Sequence, residues 1–179
     1  MHPHHYMTIW FTGLSGAGKT TLARSLENAL LTDGQACAIL DGDALRLGLC
    51  KDLGFSSADR SENIRRAAEL ARLMNQAGLI AIVALISPLQ EDRERARDII
   101  GCDSLFEVHV ATPLAVCEAR DPKGLYQRAR TGELANFTGI SARYEVPAHP
   151  QLVFDTSTMK VEDCVDALMR SIRISHKRL

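Results

Sequence analysis

The chain has 179 residues, a length that suits one compact domain, and 46% hydrophobic with 24% charged residues is an ordinary soluble composition. A formal net charge of −1 argues against a general nucleic-acid or membrane-surface binder, and no apolar run reaches the ~18 residues of a membrane span. Five scattered cysteines, with no C-x-x-C pair, read as thiols in a reducing cytoplasm rather than as a disulfide framework or zinc site. No charged n-region precedes an apolar h-region, so no secretory signal is expected. The opening MHPHHY carries three of the six histidines, and residues 1–7 are read as a disordered tail or tag remnant.

Strand and helix patterns then alternate. TIWFTG (Thr8–Gly13) is a short β-branched and aromatic run, and Lys19–Leu31 a helix with Leu22, Leu26 and Leu30 on one stripe. ACAIL (Ala36–Leu40) is a buried-strand run that leads at once into Asp41-Gly42-Asp43. Ser57–Gln76 is the longest helical pattern, with Ile64, Ala67, Ala68, Ala71 and Met74 at helical spacing and Gly78 closing it. LIAIVALI (Leu79–Ile86) is the most apolar strand, stopped by Ser87-Pro88. Gln90–Ile100 is a highly charged helix, Leu105–Val110 a strand, Pro113–Arg120 a helix, Gln151–Thr156 the last strand and Val161–Ile174 the last helix. Apolar strands joined by helices imply a parallel sheet covered on both faces. The expected fold is therefore α/β: a three-layer α/β/α domain of the P-loop NTPase type, with about five parallel strands, spanning 8–179. The polar, Gly- and Pro-rich stretch 121–150 is too long for a simple connection and reads as a lid.

GLSGAGKTT, Gly13–Thr21, fits G-x-x-x-x-G-K-T between a strand and a helix, the context this motif requires. Its glycines let the backbone wrap phosphate oxygens, and the following helix N-terminus favours their charge. Gly13, Ser15, Gly16, Ala17, Gly18, Lys19, Thr20 and Thr21 are thus candidates for binding ATP. Lys19 would reach the β/γ-phosphates, and the Thr20 hydroxyl would help hold Mg²⁺. Such chemistry also needs an acid near the metal or the nucleophile. The central strand ends in Ser-Pro, whereas the strand ending at Leu40 is followed by Asp41 and Asp43, at the sheet edge where ligands bind.

Leu45–Arg66 is dense in arginine. Arg60 and Asn63, spaced i, i+3, share a helix face, and arginine forks suit sulfate and phosphate oxygens. The alternative, a solvated face paired with Glu62 and Asp59, fits Arg65 or Arg66 better than Arg60. Phe55 in LGFSS and Phe137 in NFTGI are aromatics in polar loops. Each is either a stacking platform for a planar ring or a loop anchor tucked into the core.

In order from Thr8 to about Pro147, GLSGAGKTT, LDGD..R.GL, DLGFS..DR.ENIRR, LISP, PL.VCE.RDPKGLY..AR.GE...FTGI and YE.P resemble the adenylyl-sulfate (APS) kinase family. The resemblance implies transfer of the ATP γ-phosphate to the 3′-hydroxyl of APS. It implies that Asp41 and Asp43 position Mg²⁺ and the 3′-hydroxyl, with Asp41 beside Thr20 at the metal. It implies that Arg46, Arg60 and Asn63 hold the phosphosulfate, that Phe55 and Phe137 sandwich the adenine, and that Ile86 and Ser87 touch the substrate. Lys123 matches a lid lysine near the transferring phosphate, and Arg120 a position beside the ATP site. In the family the position of Ser87 has been described as a phosphoserine. In-line transfer needs no covalent step, so Ser87 is expected to be a substrate contact rather than an obligatory nucleophile. The family is commonly dimeric, so a cytoplasmic homodimer is expected, alone or joined to an ATP sulfurylase, with no nucleic-acid or membrane partner. Departures are Ala44, where Asn or Val is frequent, Leu89, where an aromatic is usual, and a less acidic lid exit, SARYEVPAHP. The rivals are another P-loop small-molecule kinase, a switch-type GTPase (for which the guanine-reading N-K-x-D is missing) and an inactive regulatory domain, which the intact Lys19, Asp41, Asp43 and Lys123 disfavour.

Overall fold

Five parallel strands form the centre of the computed structural model, which describes residues 6–177: β1 (Thr8–Thr12), β2 (Cys37–Asp41), β3 (Ile80–Ala84), β4 (Leu105–Val110) and β5 (Leu152–Phe154). Their order is β2-β3-β1-β4-β5, so the chain leaves the central β1 in both directions. Such a reversal opens a crevice at the carboxyl edge of the sheet. Register brings Phe11, Ala84 and Asp41 level across β1, β3 and β2 at that edge.

Successive strand residues point to opposite faces, and each face has its own core. Ile9 and Phe11 of β1 pack with Leu22, Leu26 and Leu30 of α1 (Lys19–Thr32) and Leu168 of α7 (Val161–Lys177). Trp10, between them in sequence, packs on the other face with Ile64, Ala67 and Ala71 of α3 (Ser57–Gln76) and Ala96 of α4 (Gln90–Ile100). The three-layer α/β/α arrangement read from the sequence is the one observed. The start of α3 is fixed by Ser56, whose hydroxyl accepts the Asp59 N–H at 3.1 Å.

The structure adds detail at four segments. The DGD segment runs into a short helix: Gly42–Leu47 forms α2, capped by Asp41, whose carboxylate accepts the Asp43 N–H at 3.0 Å. The lid stretch contains a helix of its own: after α5 (Leu114–Arg120) comes α6 (Leu125–Arg130), whose first N–H groups Asp121 caps. The central strand stops at Ala84, and Leu85–Pro88 forms a strap beyond it. Residues 1–5 of the expected tail lie outside the described residues, but Met7 is buried in the core, so the ordered domain starts before residue 8. Among the described residues no helix is long and apolar enough to cross a membrane.

Candidate active site

The phosphate loop is held by its carbonyls. Lys19 Nζ donates to the Gly13 and Leu14 oxygens at 2.9 and 2.7 Å. The Tyr126 hydroxyl of α6 donates to Ser15 O at 2.9 Å, and Arg120 to Gly16 O at 3.2 Å. Ala17 O accepts from the Thr112 and Thr156 hydroxyls at 3.0 and 2.8 Å. In a trans peptide, a carbonyl tied back turns the N–H the other way; Ser15, Gly16 and Gly18 line a cleft of about 1740 Å³ together with Lys19, Thr20 and Thr21, whereas the Ala17 N–H stays inside the loop and donates to Leu14 O at 3.2 Å. Gly13, at φ +151°, admits no other residue: a Cβ there would lie 2.5 Å from the Val110 carbonyl oxygen. Gly13 and Ala17 shape the loop from behind and do not line the cleft. Burial pushes the Lys19 ammonium down to about 8, against the upward pull of Asp41 and Asp43.

Across the sheet edge, Thr20 Oγ1 donates to Asp41 Oδ2 at 2.8 Å. Asp43, in the first turn of α2, pairs with Lys123, which the lid stretch brings from 80 positions away. Phosphate loop, acid pair and lid lysine therefore converge, although no two of them are close in sequence. Arg120, besides Gly16, grips Thr156 Oγ1 at 2.8 Å and Thr156 O at 2.9 Å.

The opposite wall carries Arg46, Phe55, Arg60, Asn63, Ile86, Ser87 and Phe137, all lining the same cleft. Their states differ. Phe55 is 62% exposed, with the Arg46 guanidinium 4.3 Å from its ring centre. Phe137 is 7% exposed and meets Tyr126 edge to face at 5.0 Å. The anchor reading therefore describes Phe137, even though its ring also borders the cleft, whereas Phe55 is open for stacking. Arg46 donates to the Gly54 carbonyl at 2.8 Å. Arg60 bridges the two aromatic loops, donating to Phe55 O at 3.0 Å, Asn136 O at 2.9 Å and Thr138 Oγ1 at 3.2 Å. Asn63 is buried, with Oδ1 unpartnered. Ser87 is 2% exposed, and its Oγ accepts the Trp10 indole N–H at 3.0 Å. Arg65 and Arg66 belong to the solvated face: both pair with Glu62, whose carboxyl they hold down to about 2. The second partner of Arg66 is Asp52, not Asp59.

Several residues the sequence reading passed over hold this site. Thr112, Thr156 and Tyr126 support the loop from positions 95 to 139 residues away, a separation no local pattern reveals. Trp10, the single tryptophan, was legible as unusual but not as a partner of Ser87.

The model of the adenylylsulphate kinase family matches residues 5–155. An adenylyl-sulfate kinase of Shewanella pealeana is 56% identical over 161 residues, covering 90% of this chain and 78% of that protein. An APS kinase structure from Mycobacterium tuberculosis, in complex with AMPPNP and APS, is 44% identical with a TM-score of 0.89, covering 94% of this chain and 98% of that one. A hexameric APS kinase from Thiobacillus denitrificans is 33% identical with a TM-score of 0.73, covering 97% of this chain and 30% of that one. With the family model spanning most of the chain, and with the phosphate loop facing an acid pair and an arginine- and phenylalanine-lined wall, this chain belongs to the adenylyl-sulfate kinase family.

Proposed function

We propose that this protein transfers the γ-phosphate of ATP to the 3′-hydroxyl of adenosine 5′-phosphosulfate, releasing ADP and 3′-phosphoadenylyl sulfate. The observation that carries this reading is the meeting of Thr20, Asp41, Asp43 and Lys123 between the phosphate loop and the Phe55 wall. The 3′-oxygen attacks phosphorus in line while the bond from phosphorus to the bridging β,γ-oxygen breaks. Asp43 accepts the hydroxyl proton, and Lys123 and Lys19 stabilise charge on the transferring group. Phe55 and Phe137 bound the adenine of the acceptor, and Arg46, Arg60 and Asn63 receive its phosphosulfate. Ile86 and Ser87 border the acceptor, and Arg120 borders the nucleotide.

The Thr20–Asp41 pair fits Mg²⁺: a hydroxyl and a carboxylate, both hard oxygen donors, stand where nucleotide phosphates would complete the shell. Among the described residues no cluster of three or more ligating side chains competes for a metal. When bound, the ion supplies neutralisation of charge on the β- and γ-phosphate oxygens. A cytoplasmic homodimer, and joining to an ATP sulfurylase within a longer polypeptide, belong to the same reading.

Incubation with ATP, Mg²⁺ and APS, followed by mass analysis, tests the reaction. APS carrying one added phosphate is expected, and gluconate, shikimate and nucleoside monophosphates are expected to stay unmodified. If APS stays unmodified while one of the others gains phosphate, the protein is a different small-molecule kinase.

A further inference from the structure

Ser87 has φ +45°, a left-handed conformation that a residue with a side chain keeps only when its surroundings impose it. Three side chains do so. Trp10 holds its hydroxyl, Thr12 Oγ1 donates to Ile86 O at 2.7 Å, and one terminal nitrogen of Arg93 donates to Ser87 O at 2.6 Å. The other terminal nitrogen of Arg93 donates to Glu145 O at 2.7 Å. Glu145 lies in the limb by which the lid stretch returns to the sheet.

That limb is fastened to the same strap at further points. Glu145 N donates to Pro88 O at 2.8 Å, and its carboxylate accepts the Gln90 N–H at 2.7 Å. The Tyr144 hydroxyl meets Thr12 Oγ1 at 2.9 Å, and its ring centre lies 5.9 Å from the Arg93 guanidinium carbon. Behind the guanidinium, Glu107 forms an ion pair with Arg93 at 3.1 Å and with Arg97 at 3.2 Å. The Arg93 side chain is 2% exposed. Packing alone does not call for a buried charge, which is costly to desolvate and which an apolar residue replaces at little loss. What only a guanidinium supplies is a rigid fork able to hold two carbonyls on different segments at once.

We propose that Arg93 is a positioning residue for the acceptor. Its fork sets the Leu85–Pro88 strap and locks the lid-return limb to it, so that this wall of the cleft keeps one shape. None of its own hydrogen bonds reaches Gly13–Thr21, and the strap it sets meets that loop through Gly13 N–H to Ile86 O at 3.3 Å, at a glycine that does not line the cleft, so the larger effect falls on the acceptor rather than on ATP. The inference rests on the proposed kinase reaction, with APS as acceptor.

The test is steady-state kinetics of Arg93→Lys, which keeps a positive charge for Glu107 but loses the fork. The KM for APS is expected to rise about tenfold, the loss of roughly one charged hydrogen bond, while the KM for ATP stays within about twofold. Glu107→Gln is the control for stability alone: its melting temperature falls, and its KM for APS stays within about twofold of wild type. The proposal is overturned if Arg93→Lys leaves the KM for APS unchanged, if both KM values rise together, or if Glu107→Gln raises the KM for APS equally. Should Arg93→Lys not fold, Tyr144→Phe decides by the same criterion, with about a threefold rise expected and an unchanged value overturning the proposal. Wild-type turnover of APS is measured alongside. Its absence would sink the kinase reading, whereas its presence with an unmoved KM in the variants sinks only the role of Arg93.

Discussion

The two walls of the cleft are built on different plans. The phosphate loop is nine contiguous residues whose carbonyls, from Gly13 to Ala17, are all tied back by buried or bridging side chains. The acceptor wall draws on α2, the start of α3, the strap after β3 and the lid stretch, and several of its chemical groups stand open: Phe55 is 62% exposed, and the Asp43 and Lys123 side chains are 68% and 52% exposed. The loop faces a polyphosphate that many enzymes share, so a rigid backbone cradle suffices. In the proposed reaction the other wall recognises one acceptor, and its side chains cross-brace separate segments, as Arg60 joins the loops of Phe55 and Thr138.

Five measurements test this contrast. Lys19→Ala strips the loop of its charge and of two carbonyl ties, so kcat is expected to fall by about a thousandfold or more. Unchanged turnover would show that the donor site lies elsewhere. Asp43→Asn removes the proposed proton acceptor and is expected to lower kcat by roughly 10²-fold or more, with little change in the KM for ATP. A purely KM effect would instead make Asp43 a binding group. The two phenylalanines should separate. Phe55→Ala is expected to raise the KM for APS roughly fivefold to tenfold with an unchanged melting temperature, as an exposed ring lost from a stack. Phe137→Ala is expected to cost about 3 kcal/mol or more in denaturant unfolding, because that ring also fills core. Equal thermal losses would erase the distinction.

The fourth measurement concerns pH. Burial lowers the Lys19 pKa from 10.5 to about 8, so the charged form is disfavoured in the free protein. The native-state penalty is full below about pH 8 and is relieved as pH rises from there towards 10.5. A polyphosphate favours the charged form. Nucleotide binding should therefore take up a proton above about pH 8, and affinity should weaken by up to about tenfold per pH unit there. Calorimetry in two buffers of different ionisation enthalpy reads that uptake, which should vanish in Lys19→Met. Last, Ser87→Ala should keep kcat within about threefold, and the wild-type protein should transfer with inversion at phosphorus, since in-line transfer needs no covalent step. The substitution should also cost about 1–3 kcal/mol of stability, because the buried Trp10 N–H loses its acceptor. Net retention at phosphorus in the wild-type protein would restore the nucleophile role.

What could be read from sequence follows from the range of the forces involved. The phosphate loop, the strand alternation and the twenty-residue helix α3 are local patterns, and they stand where the letters indicated. Helices α2 and α6 have six residues each, less than two turns, too few for periodicity to rise above composition. Arg93 and Asp92 hid in a helix so charged that it reads as solvated, yet both are buried. The distant partners of Arg93 come from β4 and from the lid return, which no window along the chain brings together. For Phe137 the residues left stacking platform and core anchor open and the resemblance favoured the first, whereas the fold shows a residue that packs in the core while bordering the cleft.

The threonine at 156 has a consequence for anyone trimming this protein. The stretch by which the chain is recognised ends at residue 155, and the nine letters of the phosphate loop end at residue 21. A polypeptide cut at that boundary would keep every diagnostic letter and still lose the hydroxyl that holds Ala17 O and the anchor that Arg120 grips. The border of a sequence signature is not a safe place for scissors: here the first residue past it props up the site the signature advertises.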